Sequence, residues 1–420
     1  GEEGGNPWWV GAMGADRSPF LTRVQLEASA KKRPPVPKVC VVTGGTGFVG
    51  ARLVEMLIER GAREVRSLDV VPPPPTAWSH PRIQYITGDV CDEETVDKLV
   101  AGADCVWHNA AAVGPFHPRQ LYFDVNYEGS LNVLRACRKA GVRKIVMSSS
   151  PSTRFDGSDV DGLTEDEMPK LPQKRYLQLY AETKAMGEMA ITSASDDTLF
   201  TCAVAPHQVY GPRDNLFLPN ILEAGGTGRL RIFGNGQNRI CFTHIDNYAH
   251  GLIIAEQALY KGSPANGKFY IVTDGDTHPH PQGYARLWET IDEACVAMGF
   301  TSLWEKMKLP LPLLVVLAYI AEFIGWMIGT TMKLNRFNVK VLTMHRWFII
   351  DAAKKDLKYE PIVPYSVGWP DTLEWFKENW LPTFDATAGI TGISDGSQKK
   401  IDYQAAGTAA GRRQGSDKSN

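Results

Sequence analysis

Short, β-branched apolar runs alternate along the first half of the chain with longer segments whose apolar residues recur every three to four positions. Val39–Thr43, Val65–Val71, Ile83–Thr87, Cys105–His108, Lys144–Ser148 and Cys202–Ala205 read as strands. Ala51–Arg60, Glu94–Val100, Asp124–Ala140 and Tyr180–Thr192 read as helices. Gly61 stops the first helix and Pro72–Pro75 end the second strand. This alternation predicts crossover units and an α/β fold, a doubly wound parallel sheet covered on both faces. After Pro206 the pattern loosens around Gly225-Gly226 and Gly234–Gly236, which predicts a smaller C-terminal substrate lobe. The expected division is a flexible leader at 1–37, a nucleotide-binding core at 38–205, a lobe at 206–384 and a disordered tail at 385–420.

Composition narrows the function classes. The 420 residues are 43% hydrophobic and 22% charged, enough for a large core, and the net charge of −2 gives no reason to expect a nucleic-acid partner. The seven cysteines form no CxxC pair, which favours buried, reduced thiols over a disulfide framework, and no metal site is expected. The leader lacks the apolar core of a secretory signal.

Thr43-Gly44-Gly45-Thr46-Gly47-Phe48-Val49-Gly50 follows the first strand and opens the first helix. In that context Gly44 makes the tight turn, Gly47 admits a pyrophosphate, and Gly50 lets helix and sheet pack closely. Phe48 and Val49 enter the helix N-terminus, whose free N–H groups suit phosphate. Asp69, ending the second strand, is placed to accept from ribose hydroxyls and to repel a 2′-phosphate, so the expected cofactor is NAD. Asp89 and Val90 are candidates for the adenine. Asn109, Ala110 and Ala111 are candidates for the floor beneath the cofactor. Pro206, directly after the last strand, completes the cofactor set. The signature is that of a Rossmann-type fold.

Tyr180 and Lys184 stand four residues apart, on one helix face. A phenol is a poor base at neutral pH, and a neighbouring ammonium is expected to lower its pKa. Ser148-Ser149-Ser150 follows the fifth strand, and Ser150 is the first choice for orienting a substrate oxygen, with Ser149 second. The three groups suit removal of an alcohol proton by Tyr180 as hydride departs.

With these motifs placed, the chain resembles extended short-chain dehydrogenases of the 3-beta-hydroxysteroid dehydrogenase family. It is most similar to the subgroup that oxidises and decarboxylates 4-carboxysterols. Phe155-Asp156-Gly157, Thr164-Glu165-Asp166, Pro206–Asp214, Phe233–Gly236 and Phe242–Asn247 carry the subgroup likeness, which runs from about Lys38 to Trp380. Ala205 departs from it, standing where the family usually has Arg. The resemblance implies NAD-dependent oxidation of a sterol 3β-hydroxyl, membrane association and the endoplasmic reticulum. A homodimer or membership of a larger complex is compatible with it. Two other readings share the motifs: a nucleotide-sugar epimerase or reductase, and a non-catalytic nucleotide-binding subunit of a larger assembly.

Leu313–Thr331 is nearly all apolar, with Glu322 near its middle. As a helix it extends ~28 Å, close to the hydrocarbon thickness of a bilayer. Membrane association, spanning or interfacial, is the preferred expectation; a helix buried in the lobe is the alternative.

Overall fold

The computed structural model describes residues 16–114, 117–328, 332 and 334–387. Along the chain the strands are β1 (Val39–Thr43), β2 (Glu64–Asp69), β3 (Ile83–Thr87), β4 (Cys105–His108), β5 (Lys144–Ser148), β6 (Val160–Leu163) and β7 (Phe200–Pro206). They continue as β8 (Val209–Tyr210), β9 (Arg239–Ile240), β10 (Thr243–His244), β11 (Phe269–Val272), β12 (Ala285–Arg286) and β13 (Arg346–Phe348). Seven form one sheet in the order β11-β7-β5-β4-β1-β2-β3, every pair parallel. Sequence order reverses between β1 and β4, so a crevice opens beyond the carboxyl ends of those two strands. All five residues of β1 are buried, as a strand covered by helices on both faces requires. Separate apolar cores lie on the two faces: Leu53, Leu57 and Leu252 pack in one, Val96, Val133 and Ile191 in the other.

The helix after β1 begins at Phe48, three residues before the expected Ala51, because Gly47 is itself the N-cap. The helix predicted from Asp124 is longer too. It runs through Arg119–Phe123, a π-helical turn at Asp124–Glu128 and Gly129–Ala140. That turn positions the next helix, Leu179–Ser193. A Cβ on Gly187 would meet the Asn126 carbonyl oxygen at 2.2 Å, and Asn126 Nδ2 donates to Thr183 Oγ1 at 3.1 Å. Glycine at 187 thus lets the helix bearing Tyr180 and Lys184 lie close against the turn.

The chain crosses the expected boundary at 205/206 in both directions. β11 completes the seven-stranded sheet, and helix Ile245–Gln257 packs against helix Phe48–Glu59. Conversely, β6 joins the lobe's four-stranded sheet, ordered β12-β9-β13-β6. Sheet hydrogen bonding joins strands that chain order separates, so a linear cut cannot describe the two halves.

The expected flexible leader also needs correction. Residues 1–15 lie outside the described residues, but Arg23–Ala30 is a helix with a reciprocal capping box between Thr22 and Gln25. Gln25 Nε2 donates to Asp246 Oδ1 at 2.6 Å and Thr22 Oγ1 to Asp371 Oδ2 at 2.7 Å, which fasten it to the body. Asp246 in turn takes two hydrogen bonds from the buried Arg52, at 3.0 and 2.9 Å. Arg52 also donates to Glu59 at 2.8 and 3.1 Å, and Glu55 takes a bidentate pair from Arg213 at 2.7 and 2.8 Å. Four separate segments meet at this cluster. Of the tail, only 385–387 are described, so its expected disorder lies outside.

The apolar segment forms the helix Leu311–Ile328 on the surface. Leu314 and Ala318 pack beside Val339, while Trp326 is 77% exposed and Phe323 59%. The alternative of a helix buried in the lobe is therefore excluded. Glu322 follows Leu314 and Ala318 at four-residue spacing, on the stripe facing the body, and accepts hydrogen bonds at 2.7 Å from the Arg336 guanidinium and amide. The charge is thus paired and turned away from the apolar faces.

Candidate active site

A cavity of about 970 Å³ opens at the crevice. Every residue assigned to the cofactor from the sequence except Pro206 lines it: Gly44, Gly47, Phe48, Val49, Gly50, Asp69, Asp89, Val90, Asn109, Ala110, Ala111, Tyr180 and Lys184. The glycines are there for space. Gly44 has φ +67°, and a Cβ on it would lie 2.9 Å from the Ala110 amide nitrogen. A Cβ on Gly50 would lie 2.1 Å from the Gly44 carbonyl oxygen. The Gly47 cap supplies no side chain, so the first-turn N–H groups of the helix face the cavity without a side-chain acceptor.

Asp69 is buried at the end of β2 and accepts from Thr46 Oγ1 at 2.6 Å, Thr46 N at 3.1 Å and Val70 N at 2.9 Å. Thr46 is thus a site residue that sequence reasoning passed over; its hydroxyl inside the glycine motif was the available signal. Asp89 Oδ1 accepts from Cys91 N at 3.0 Å, which fixes the carboxylate at the rim. Across the floor, Thr43 Oγ1 takes the Ala110 amide at 3.1 Å and meets His108 Nδ1 at 2.8 Å. The other nitrogen of that ring meets Ser130 Oγ at 3.0 Å, and burial pushes the imidazole down to about 3. This neutral chain holds the Asn109–Ala111 stretch against β1. Asn109 itself leaves both amide atoms buried without a hydrogen-bond partner. Such a loss is costly unless a bound group satisfies it, so the floor fits a polar ligand such as a dinucleotide.

Of the catalytic candidates, Tyr180 and Lys184 line the cavity. Lys184 is buried, and burial brings its ammonium down to about 8, opposed by the carboxylate of Glu188. Burial pushes the Tyr180 phenol up to about 12, against the pull of the Ser150 hydroxyl beside it. The expected lowering of the phenol by Lys184 is not what this geometry gives. Lys184 loses its proton before Tyr180 titrates, so desolvation dominates.

The three serines have separate duties. Ser148 Oγ lies 2.6 Å from the Tyr248 hydroxyl, and Ser149 is buried and donates to Glu188. Ser150 caps the short helix Pro151–Arg154 and keeps its hydroxyl near the phenol, 2.8 Å from Ser152 Oγ. Ser148 and Ser149 line the cavity and Ser150 does not, but Ser149 is already engaged. Asn215 and Leu216 reach the cavity from the lobe, and no motif announced them.

Comparison with known proteins gives the family. Residues 41–295 match the model of the 3-beta hydroxysteroid dehydrogenase/isomerase family. The chain is 33% identical to the Arabidopsis thaliana 3beta-hydroxysteroid-dehydrogenase/decarboxylase isoform 1, over 80% of this chain and 79% of that protein. It is 28% identical to the Mus musculus decarboxylating sterol-4-alpha-carboxylate 3-dehydrogenase, over 81% and 91%. In fold it is similar to a Thermotoga maritima UDP-glucose 4-epimerase, with TM-score 0.61 and 19% identity over 81% of this chain and 99% of that one. Glycine-rich turn, serine loop, Tyr–Lys pair and the match over more than half its length place the chain in the 3-beta hydroxysteroid dehydrogenase/isomerase family.

Proposed function

We propose that the chain is an NAD-dependent dehydrogenase that oxidises the 3β-hydroxyl of a 4-carboxysterol, after which the product loses carbon dioxide. The observation that carries this reading is that Tyr180 and Lys184 line the same cavity as the glycine turn and Asp69, with the Ser150 hydroxyl hydrogen-bonded to the Tyr180 phenol. The decarboxylating relatives supply the substrate class.

The glycine turn and the Phe48 helix end would hold the pyrophosphate, and Asp69 with Thr46 the adenosine ribose. Asn109 would satisfy its orphaned amide beneath the cofactor. The chemistry NAD supplies when bound is acceptance of a hydride from the carbinol carbon. Tyr180, as its phenolate, would take the alcohol proton and become the neutral phenol, while Ser150 holds the oxygen by hydrogen bonding. Lys184, buried on the cavity wall with the Glu188 carboxylate favouring its charge, supplies positive charge to the cavity. Loss of carbon dioxide needs no further residue, because the new ketone stands β to the carboxylate and accepts the electrons of the breaking bond.

NADH formation by the purified protein with NAD and a 4-carboxysterol in detergent tests the reading, with a UDP-sugar in parallel. NADH with the carboxysterol alone is the expected result. NADH with the sugar nucleotide alone would refute it.

The exposed helix completes the proposal: it docks one stripe on the body and presents Phe323, Trp326 and Met327 to a membrane, of the endoplasmic reticulum in a cell that makes sterols. Trp326→Asp with Phe323→Asp is expected to lose flotation with phosphatidylcholine vesicles and to keep NADH formation in detergent. Unchanged flotation would refute this part.

A further inference from the structure

Arg346, the first residue of β13, is buried in the lobe with 7% of its surface exposed. Among the described residues its guanidinium has one hydrogen-bond partner and no carboxylate in ion-pair range. Nη1 donates to His207 Nε2 at 3.3 Å, and Nε is buried without a partner. The imidazole does not neutralise it. His207 Nδ1 donates to the Cys241 carbonyl at 2.8 Å, so Nε2 carries the lone pair. Burial, with Arg346 beside it, pushes His207 down to about 3, which keeps the ring neutral. A buried cation with a single neutral acceptor carries a large desolvation penalty, and such charges are ordinarily paired.

The location gives the penalty a purpose. His207 directly follows β7, and Ser149 N donates to Val204 O of that strand at 2.8 Å, so Ser149 and Ser150 leave the sheet beside it. Phe155, which ends the turn begun by Ser150, lies edge-on to His207 at 6.5 Å and stacks on Phe348 of β13 at 6.4 Å. Ser150, Phe155, His207 and Arg346 therefore belong to one contiguous patch above the carboxyl ends of β5 and β7. In a 4-carboxysterol the acidic group sits on the carbon next to the carbinol, so it must lie close to whatever holds the hydroxyl.

We propose that Arg346 receives the carboxylate of the substrate and thereby selects the acidic sterol over its uncharged analogues. The assignment rests on the sterol dehydrogenase reading above. A planar guanidinium with free N–H groups suits a carboxylate, and the buried setting strengthens the pairing that an open surface would screen.

The test compares a 4-carboxysterol with the 4-methyl analogue of the same sterol, in wild type, Arg346→Met and Arg346→Lys. Both turnover and equilibrium binding are measured in detergent. Wild type is expected to bind the acid about 100-fold tighter than the methyl analogue. Arg346→Met is expected to raise KM for the acid by about that factor, leave the methyl analogue unchanged, and be partly rescued by Arg346→Lys. If wild type binds the two sterols alike, or Arg346→Met weakens both equally, the proposal is overturned and the residue serves packing. Preferential binding of the acid without NADH would leave Arg346 as its receptor and refute the dehydrogenase reading alone. Should Arg346→Met fail to fold, Arg346→Gln takes its place, with loss of the acid preference expected and an unchanged preference overturning the proposal.

Discussion

Two arginines are buried among the described residues, and they sit in opposite electrostatic settings. Arg52, on the nucleotide-binding helix, meets Asp246, Glu59 and Glu55; although burial works against its charge, Asp246 and Glu59 hold it fully protonated. Arg346, in the lobe, has only a neutral imidazole. The same division holds for acids. Asp246 beside Arg52 is held below the usual carboxylate range despite its burial. Asp274, just beyond β11 and with no cation partner among the described residues, is pushed up to about 7 by burial, although it accepts from Asn247, His244 and Tyr210. The charges around Arg52 are thus paired with one another, which fastens the nucleotide-binding helix to its neighbours. Arg346 keeps an uncompensated charge, which is what recognition of a particular substrate requires.

Removing the proton acceptor gives the largest expected effect. Tyr180→Phe should lower turnover on the order of a thousandfold and leave NAD affinity unchanged, measured by NADH formation and by titration of bound NAD. An active Phe variant would reassign the base.

The two arginines should then separate on stability. Arg52→Met takes the cation from Glu59 and Asp246, while Glu55 keeps Arg213, and should cost about 3–5 kcal/mol by urea unfolding. Arg346→Met removes a lone cation and should leave stability equal or higher. Equal losses in both variants would break the comparison.

Asp274 gives a smaller, pH-dependent effect. Its folded pKa is raised above the unfolded value, so the folded chain binds the extra proton between about pH 4 and 7. Its contribution is full below the unfolded pKa and is lost as pH rises through 7. Asp274→Asn should therefore flatten the decline in urea midpoint between pH 4 and 7. An unchanged slope would place the titration elsewhere.

The smallest effect concerns cofactor choice. Asp69→Ser should narrow the preference for NAD over NADP by about tenfold, read from the two KM values. No change would mean that Thr46 and the backbone set the choice.

How much of this was legible along the chain depends on distance in sequence. The glycine turn is local, since its conformation is dictated within Thr43–Gly50, and Tyr180 and Lys184 share a helix face at fixed spacing. The leader helix was legible too, from Thr22 followed three residues later by Gln25, but its proline-rich flank pointed to a flexible segment. Arg346 and His207 are far apart in the chain, and only the register of β13 against β6 and β9 brings the guanidinium to the end of β7. The Tyr180 environment failed for a related reason. Spacing places a cation near a phenol, but burial, a property of the packed molecule, decides which of them gives up its proton.

The most direct test counts two products together: NADH and carbon dioxide released by purified protein from a carboxyl-labelled 4-carboxysterol. The account predicts equal amounts of both from wild type and neither from Tyr180→Phe. Carbon dioxide without NADH, or NADH from Tyr180→Phe at the wild-type rate, would contradict it.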